Sequence, residues 1–407
     1  MKRRDILKGF SIFPFAATLG GDLIMPIKAK AGNLPQGKRN LFQELGVRPF
    51  INAAGTYTFM TGSLMREEVI DAIRSTSEDF CLLDELQDKV GEKIAAMVHA
   101  EAAVVTSGAF SGLTLGVAGV LTGTDPDKVK LLPQLEGTGM KTEIICQKAH
   151  AIDYNHALTN TGARLIMIET VEELEKAING NTALMHFLNI EADNGKIMHE
   201  EWVALGKKHG IPTSIDIAAD VPPVSNLWKF NDMGFDFVVI SGGKALRGPQ
   251  SAGLLMGKRD IVAAARLHMP PRGANIGRGM KVNKEEIFGM YAALQHYINY
   301  DHEAEWKIWE TNVAIIENAA KSVKGVTTRV FVPKLGNITP TLELLWDTGR
   351  LTVKDLQERL RKGDPSIEVM GHEDKGIHIT VWVMRAGQEK MVAKRLKEEL
   401  SAALALA

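Results

Sequence analysis

The chain has 407 residues, with 48 Lys and Arg against 49 Asp and Glu, 45% hydrophobic and 24% charged side chains. That composition is globular and excludes a disordered, collagen-like or disulfide-framework protein. At roughly 100–200 residues per domain, the length suits two domains, or one large domain with an appendage. The formal charge of −1 carries no electrostatic footprint of a nucleic-acid partner.

Residues 1–31 read as a removable twin-arginine-type signal peptide. Lys2, Arg3, Arg4 and Lys8 precede a mildly apolar stretch from Phe10 to Met25, and Ala29-Lys30-Ala31 fits an A-x-A cleavage site. Arg3-Arg4-Asp5-Ile6-Leu7-Lys8 resembles the twin-arginine motif. Pro14, Gly20, Gly21 and Asp22 make the stretch a poor membrane span, so no stable anchoring is expected. The segment holds six Lys/Arg and two acids, so removing it leaves 376 residues with 42 basic and 47 acidic side chains, a net of −5. Residues 32–75 read as an N-terminal arm that opens with a polar linker, Gly32 to Asn40.

From Leu64 to Ala100 apolar residues recur at three- and four-residue spacing, which predicts amphipathic helix. Strand-like runs follow at Ala102–Thr106, Glu143–Cys146, Arg164–Ile168, Ala183–Leu188, Pro212–Asp216, Phe235–Ser241 and Ala252–Met256. They alternate with helical stretches such as Gly112–Leu121, Val171–Ile178 and Glu200–His209. This alternation predicts a mostly parallel sheet covered by helices, in a large domain over residues 76–283. Lys284 to Val323 reads as a long connecting helix or helix pair. Residues 324–407 predict a small α+β domain, with strands at Thr328–Val332, Thr341–Trp346 and Ile377–Val383 and helices at Val353–Lys362 and Gln388–Ala403. Cys81 and Cys146 read as two buried free thiols.

Four spots carry chemistry. Lys244 stands at the end of an apolar strand behind Gly242 and Gly243. A lysine is rarely placed there unless paired or employed. It either forms a Schiff base with a carbonyl, as pyridoxal phosphate lysines do, or is a solvated turn residue. Asp216 ends another strand 28 residues earlier. Strand ends of an open parallel sheet line the ligand crevice, where a carboxylate pairs with a protonated pyridine nitrogen; the alternative is a helix cap. Thr106-Ser107-Gly108-Ala109-Phe110-Ser111-Gly112 is a small-residue strand-to-helix turn suited to a phosphate, or a routine turn. His150, after the Glu143–Cys146 strand, either lies over a cofactor ring or is an exposed loop histidine.

The order of these four elements resembles the fold-type-I pyridoxal phosphate enzymes, the aspartate aminotransferase superfamily. Further blocks are similar to the selenocysteine synthase-like group: Asp84-Glu85-Leu86-Gln87-Asp88-Lys89-Val90-Gly91, Glu101-Ala102-Ala103, Ser241-Gly242-Gly243-Lys244 with Gly248-Pro249-Gln250, and Gly277-Arg278 with Lys281 and Lys284-Glu285-Glu286. Phe50-Ile51-Asn52-Ala53-Ala54-Gly55-Thr56 looks closest to the opening motif of the D-glucosaminate-6-phosphate ammonia-lyase branch. The resemblance runs from about Phe42 to Gln295. It implies pyridoxal 5'-phosphate (PLP) on Lys244, with Asp216 on its ring nitrogen. It implies Ser107, Gly108, Ala109 and Ser241 around the phosphate, and His150 and Ala218 against the ring. Asn52, Arg278, Lys281 and Arg385 become the expected substrate contacts, Arg278 and Lys281 by reaching a neighbouring subunit's site.

The implied activity is a PLP-dependent lyase acting on a β-hydroxy amino acid or amino sugar acid, in a homodimer or larger homo-oligomer. Racemase, aldolase, selenium transferase and non-catalytic binder stay open as alternatives. The acidic processed chain disfavours tRNA. Export points to an unphosphorylated substrate.

Overall fold

The computed structural model describes residues 39–404, so the expected signal peptide lies outside the described residues. Residues up to Arg48 form one unit and Pro49 onward another. The described part of the first unit holds a short helix, Leu41–Leu45, capped by the Asn40 side chain.

The second unit opens with Ile51–Asn52 (β1) and two helices, Glu67–Thr76 and Leu83–Met97. The single periodic stretch expected over residues 64–100 is thus broken at residues 77–82. Cys81 lies in that break and is exposed, which corrects the expectation of a buried thiol. Once the chain leaves the helix, no apolar face carries the side chain inward. Cys146 is buried, and burial pushes its thiol up to about 12, which keeps it unreactive.

The strands β2 (Ala102–Thr106), β3 (Glu143–Gln147), β4 (Arg164–Ile168), β5 (Thr182–Leu188), β6 (Thr213–Asp216), β7 (Phe237–Ser241) and β8 (Gly253–Gly257) form one sheet. Their order is β2-β8-β7-β6-β5-β3-β4. The pairs from β7 through β4 are parallel, while β8 runs antiparallel to both β2 and β7. Eleven residues join β7 to β8, fewer than a crossover helix usually needs, so the chain turns back instead. Alternate strand residues feed two cores. Val104, Ile144, Leu184, Val239 and Leu255 belong to one cluster. Val105, Ile145, Met185, Val238 and Leu254 belong to the other. Burial on both faces explains why these strands read as unbroken apolar runs.

Lys284–Ile298 and His302–Lys321 are two helices. Asn283 caps the first with a capping box and Asp301 caps the second. The C-terminal sheet contains β9 (Thr327–Phe331), β10 (Thr341–Leu345), β12 (Met370–His372) and β13 (Gly376–Thr380), all antiparallel in the order β12-β13-β10-β9. Between them β11 (Ile367–Glu368) pairs in parallel with β1, tying the start of this unit to its C-terminal part. The expected strand Ile377–Val383 stops at Thr380, where the chain turns at Val381–Met384.

Candidate active site

The large sheet delivers its functional groups at one edge. β2, β6 and β7 end at Thr106, Asp216 and Ser241, and the start of β8, Gly253, pairs with both Thr106 and Ser241. A cavity of about 740 Å³ opens there, lined on this side by Gly108, Ala109, Asp216, Ala218, Ser241 and Lys244. Gly253 is forced by packing: a Cβ would sit 2.6 Å from the Gly108 carbonyl carbon and 2.8 Å from the Ala109 nitrogen. The strand start therefore touches the N-terminus of the helix Gly108–Thr122. No side chain caps that helix, and the Ser107 hydroxyl donates to Ser111 Oγ at 3.0 Å. Its first residues, Gly108, Ala109 and Phe110, line the cavity, and an uncapped helix N-terminus suits a phosphate.

The lysine loop is clamped from outside. Ser63 Oγ donates to the Lys244 carbonyl (2.7 Å) and the Gly243 carbonyl (3.0 Å). Gly243 is needed because a Cβ would lie 2.4 Å from Gln250 Cα, so it is the loop's own backbone that approaches. Arg247, at φ +50°, sends its guanidinium to the Trp382 carbonyl, joining this loop to the opposite wall. Burial pushes the Lys244 amine below its ordinary value, while Asp216 and Asp220 pull it back up. Burial raises the Asp216 carboxyl, against a hydrogen bond from the Ala218 N–H (2.8 Å) and the Lys244 charge. Asp220 is pushed up to about 6, first by burial, with the Asn189 side chain and the Gly336 N–H (3.1 Å) opposing and the Asp216 charge adding.

The opposite wall is the C-terminal sheet. Phe331, Thr341, Met370, His378 and Thr380 line the cavity from one sheet face, joined by Trp382. The connection between β9 and β10 adds Pro333, Leu335, Gly336 and Asn337. Asn337 is fastened to the loop after β6 by its N–H donating to the Ala219 carbonyl (2.7 Å). The segment Ala54–Thr58 closes another side.

The profile of the aminotransferase class-V family matches residues 72–280, half of the chain. The chain belongs to the aminotransferase class-V family. D-glucosaminate-6-phosphate ammonia lyase of Salmonella typhimurium is 25% identical over 377 residues, covering 88% of this chain and 97% of the relative. A solved structure of D-glucosaminate-6-phosphate ammonia-lyase gives a TM-score of 0.79 at 24% identity, covering 90% of this chain and all of the other. The 5'-C-glycyluridine monooxygenase-decarboxylase of a Streptomyces species is 27% identical over 380 residues, 88% of this chain and 92% of its own. L-seryl-tRNA(Sec) selenium transferase of Carboxydothermus hydrogenoformans is 25% identical over 296 residues, 66% and 60% respectively.

As a class-V aminotransferase-family chain, this is a PLP-dependent enzyme with the fold-type-I architecture. The site fits the cofactor. Lys244 is a buried amine, Asp216 a buried carboxylate that needs a cationic partner, and the uncapped helix at Gly108 a phosphate seat. Ala218 and Ser241 line the same space.

Six other expected contacts lie outside the lining, among them Ser107, whose hydroxyl donates to Ser111 Oγ. His150 is fully buried, accepts the Leu188 N–H at Nδ1 (3.2 Å) and packs edge-on against Phe187, so it underlies the cavity wall instead of lying over a ring. Tyr154 of the same loop reaches the lining. Asn52 accepts the Ala54 and Gly55 N–H groups and donates to the Gly55 carbonyl. It shapes the turn that lines the cavity and is not itself part of the lining. Arg278, Lys281 and Arg385 are exposed and absent from this chain's own lining. Arg385 sits past the turn that ends β13, just before the last helix, with its N–H on Gln388 Oε1 (2.8 Å). Sequence reasoning missed Asp220, Arg247, Asn337 and His378. Only Asp220 carried a local signal, a second acid four residues past Asp216.

Proposed function

We propose that this enzyme releases ammonia from an unphosphorylated β-hydroxy amino acid or amino sugar acid, through α,β-dehydration, to give a 2-keto acid. The observation that carries this is the pairing of Lys244 with two buried carboxylates in a cavity whose lining, among the described residues, includes one lysine and no arginine. The choice of an unphosphorylated substrate rests on the export signal read in residues 1–31. The ammonia lyase relative supports the reaction class.

When bound, PLP supplies an electron sink for the electrons of the α C–H bond. Lys244 would hold the group and, once the substrate amine has displaced it, its Nζ, with basicity lowered by burial, would take the α-proton. Asp216 keeps a positive charge in place opposite it. The wall of Phe331, Leu335 and Trp382 restricts water around the reacting carbon.

The deciding assay supplies free and phosphorylated D-glucosaminate and a panel of β-hydroxy amino acids, and measures keto acid and ammonia. Equal amounts of both products from an unphosphorylated substrate support the reading. Recovery of only the mirror-image amino acid makes the enzyme a racemase, and strong preference for the phosphorylated acid overturns the substrate assignment. The Streptomyces relative favours a second reading, an oxygen-dependent decarboxylation. It requires CO₂ release that stops under anaerobiosis.

Export follows from Arg3-Arg4 and Ala29-Lys30-Ala31. Fractionation of cells expressing the protein with both arginines changed to lysine tests it, and unchanged export contradicts it. Exposed Arg278 and Lys281 suit a second copy's cavity in a homodimer or larger assembly. No nucleic-acid partner is needed. Among the described residues no helix is long and apolar enough to cross a membrane.

A further inference from the structure

The sheet face on the C-terminal wall holds one polar side chain whose direction is set from several sides. Strand side chains alternate, so residues two apart share a face. Thr380 and His378 of β13 lie opposite Thr341 and Glu343 of β10, and these lie opposite Phe331 and Arg329 of β9. Phe331, Thr341, Thr380 and His378 line the cavity, while Glu343 and Arg329 stand outside its lining.

His378 Nε2 donates to Glu343 Oε1 at 3.4 Å. Arg329 grips the same carboxylate, with Nε on Oε2 and Nη2 on Oε1, both at 3.0 Å, and so holds it below its ordinary value. An ionised carboxylate only accepts, so the imidazole carries its proton on Nε2. The His372 ring stacks on that of His378 at 4.2 Å and 19°, and Phe331 leans against it at 5.3 Å and 60°. Packing and the hydrogen bond together lock the ring. Burial lowers its basicity, with Glu343 opposing, so the ring is neutral at neutral pH and keeps a lone pair on Nδ1. Nδ1 has no partner among the described residues and is not sealed off by packing. The two ring nitrogens point to different sides, so Nδ1 is turned away from Glu343. The side chain keeps 28% of its surface exposed, in a residue that lines the cavity.

We propose that His378 selects the substrate by accepting, at Nδ1, a hydrogen bond from a substrate hydroxyl beyond the α-carbon. This deepens the reading of the substrate as a hydroxylated amino acid and rests on it. The amine of such a substrate goes to the cofactor, so its hydroxyls are the donors left to meet the imidazole. A lone pair at this point repels bare phosphate and carboxylate oxygens, which bring no proton, and gains nothing from a methylene group. Glu343 acts only through His378, by fixing its tautomer.

The test uses full-length, PLP-loaded protein and pairs of amino acids that differ in their hydroxyls: serine and alanine, threonine and 2-aminobutyrate, each in both configurations, and D-glucosaminate and D-norleucine. Affinity is read from the first rapid change in cofactor absorbance on mixing, and α-proton exchange from NMR in D₂O. Wild type should favour the hydroxylated member of at least one pair by about tenfold. His378→Ala should lose that preference, with PLP content, affinity for the hydroxyl-free member and its α-proton exchange unchanged. His378→Asn, whose amide oxygen can stand near the place of Nδ1, should regain most of the preference. His378→Gln, whose amide reaches the place of Nε2, should not. Wild type without preference in any pair, a preference kept in His378→Ala, equal losses for both members of a pair, or rescue by Gln and not by Asn overturns the contact. The expected pattern in an enzyme that releases no ammonia and keto acid sinks the lyase reading and leaves the His378 contact standing.

Discussion

The two walls of the cavity are built by different means. The large-sheet wall collects its groups at strand ends, where topology brings Thr106, Asp216 and Ser241 together from distant points in the chain. There each functional residue stands at the junction of a strand and a loop, and its charge is set by burial and by its neighbours. The C-terminal wall presents a sheet face, where register alone decides which side chains meet. The first wall is therefore fixed in function by burying ionisable groups next to each other. The second is fixed in shape by strand register.

That contrast predicts graded effects. Lys244→Ala should lower turnover by at least about 10³-fold, since both the cofactor link and the base are removed. Steady-state rates check this, and a loss under tenfold would move the chemistry elsewhere. Asp216→Asn should cost about 10²–10³-fold in kcat, with PLP still bound. A normal kcat there would remove the carboxylate from the account.

Asp220 gives an effect on stability. Its carboxyl titrates at about 6 in the folded protein, against roughly 3.9 when unfolded. The folded form thus binds the proton more tightly. This contribution is fully present below about pH 4 and is lost as pH rises through about 6. Cofactor-free Asp220→Asn should therefore be more stable than wild type at pH 7–8, by about 2–3 kcal/mol. The gap should close near pH 4 in melting curves. The buried imidazoles of His150 and His268, each lowered to about 4 by burial, act oppositely and destabilise the fold as pH falls below about 6.5 in both proteins. A gap that stays constant from pH 4 to 8 would contradict a buried, titrating Asp220.

The smallest change tests the seam between strand and helix. Gly253→Ala pushes a methyl against the backbone at Gly108 and Ala109, and PLP affinity should fall about tenfold, roughly 1.4 kcal/mol. Unaltered affinity in a cofactor titration would show that the helix start does not hold the phosphate.

The same contrast explains what could be read from sequence. The strand ends at Thr106 and Asp216 were visible as apolar runs stopping at polar residues, and Lys244 followed its strand behind two glycines. Helices were read from periodicity, and the amphipathic stretch read as continuous over residues 64–100 is broken at residues 77–82, where Phe80, Cys81 and Leu82 keep the apolar pattern running. The reversal of β8 was hidden because an antiparallel strand buried on both faces reads like its parallel neighbours. His150 misled because its place after β3 says nothing of rotamer, and the ring turned inward to meet the Leu188 N–H. Arg385 misled because the strand before it ends sooner than its apolar run suggests. Glu343, His372 and His378 are separated by up to 35 residues and meet only through cross-strand register, which no local pattern records.

The most direct test of the central claim is to reduce the PLP-loaded protein with borohydride and map the modified peptide by mass spectrometry. The account predicts that the pyridoxyl adduct sits on Lys244 and disappears in Lys244→Ala. An adduct on another lysine of the wild-type protein, or none at all, would contradict it.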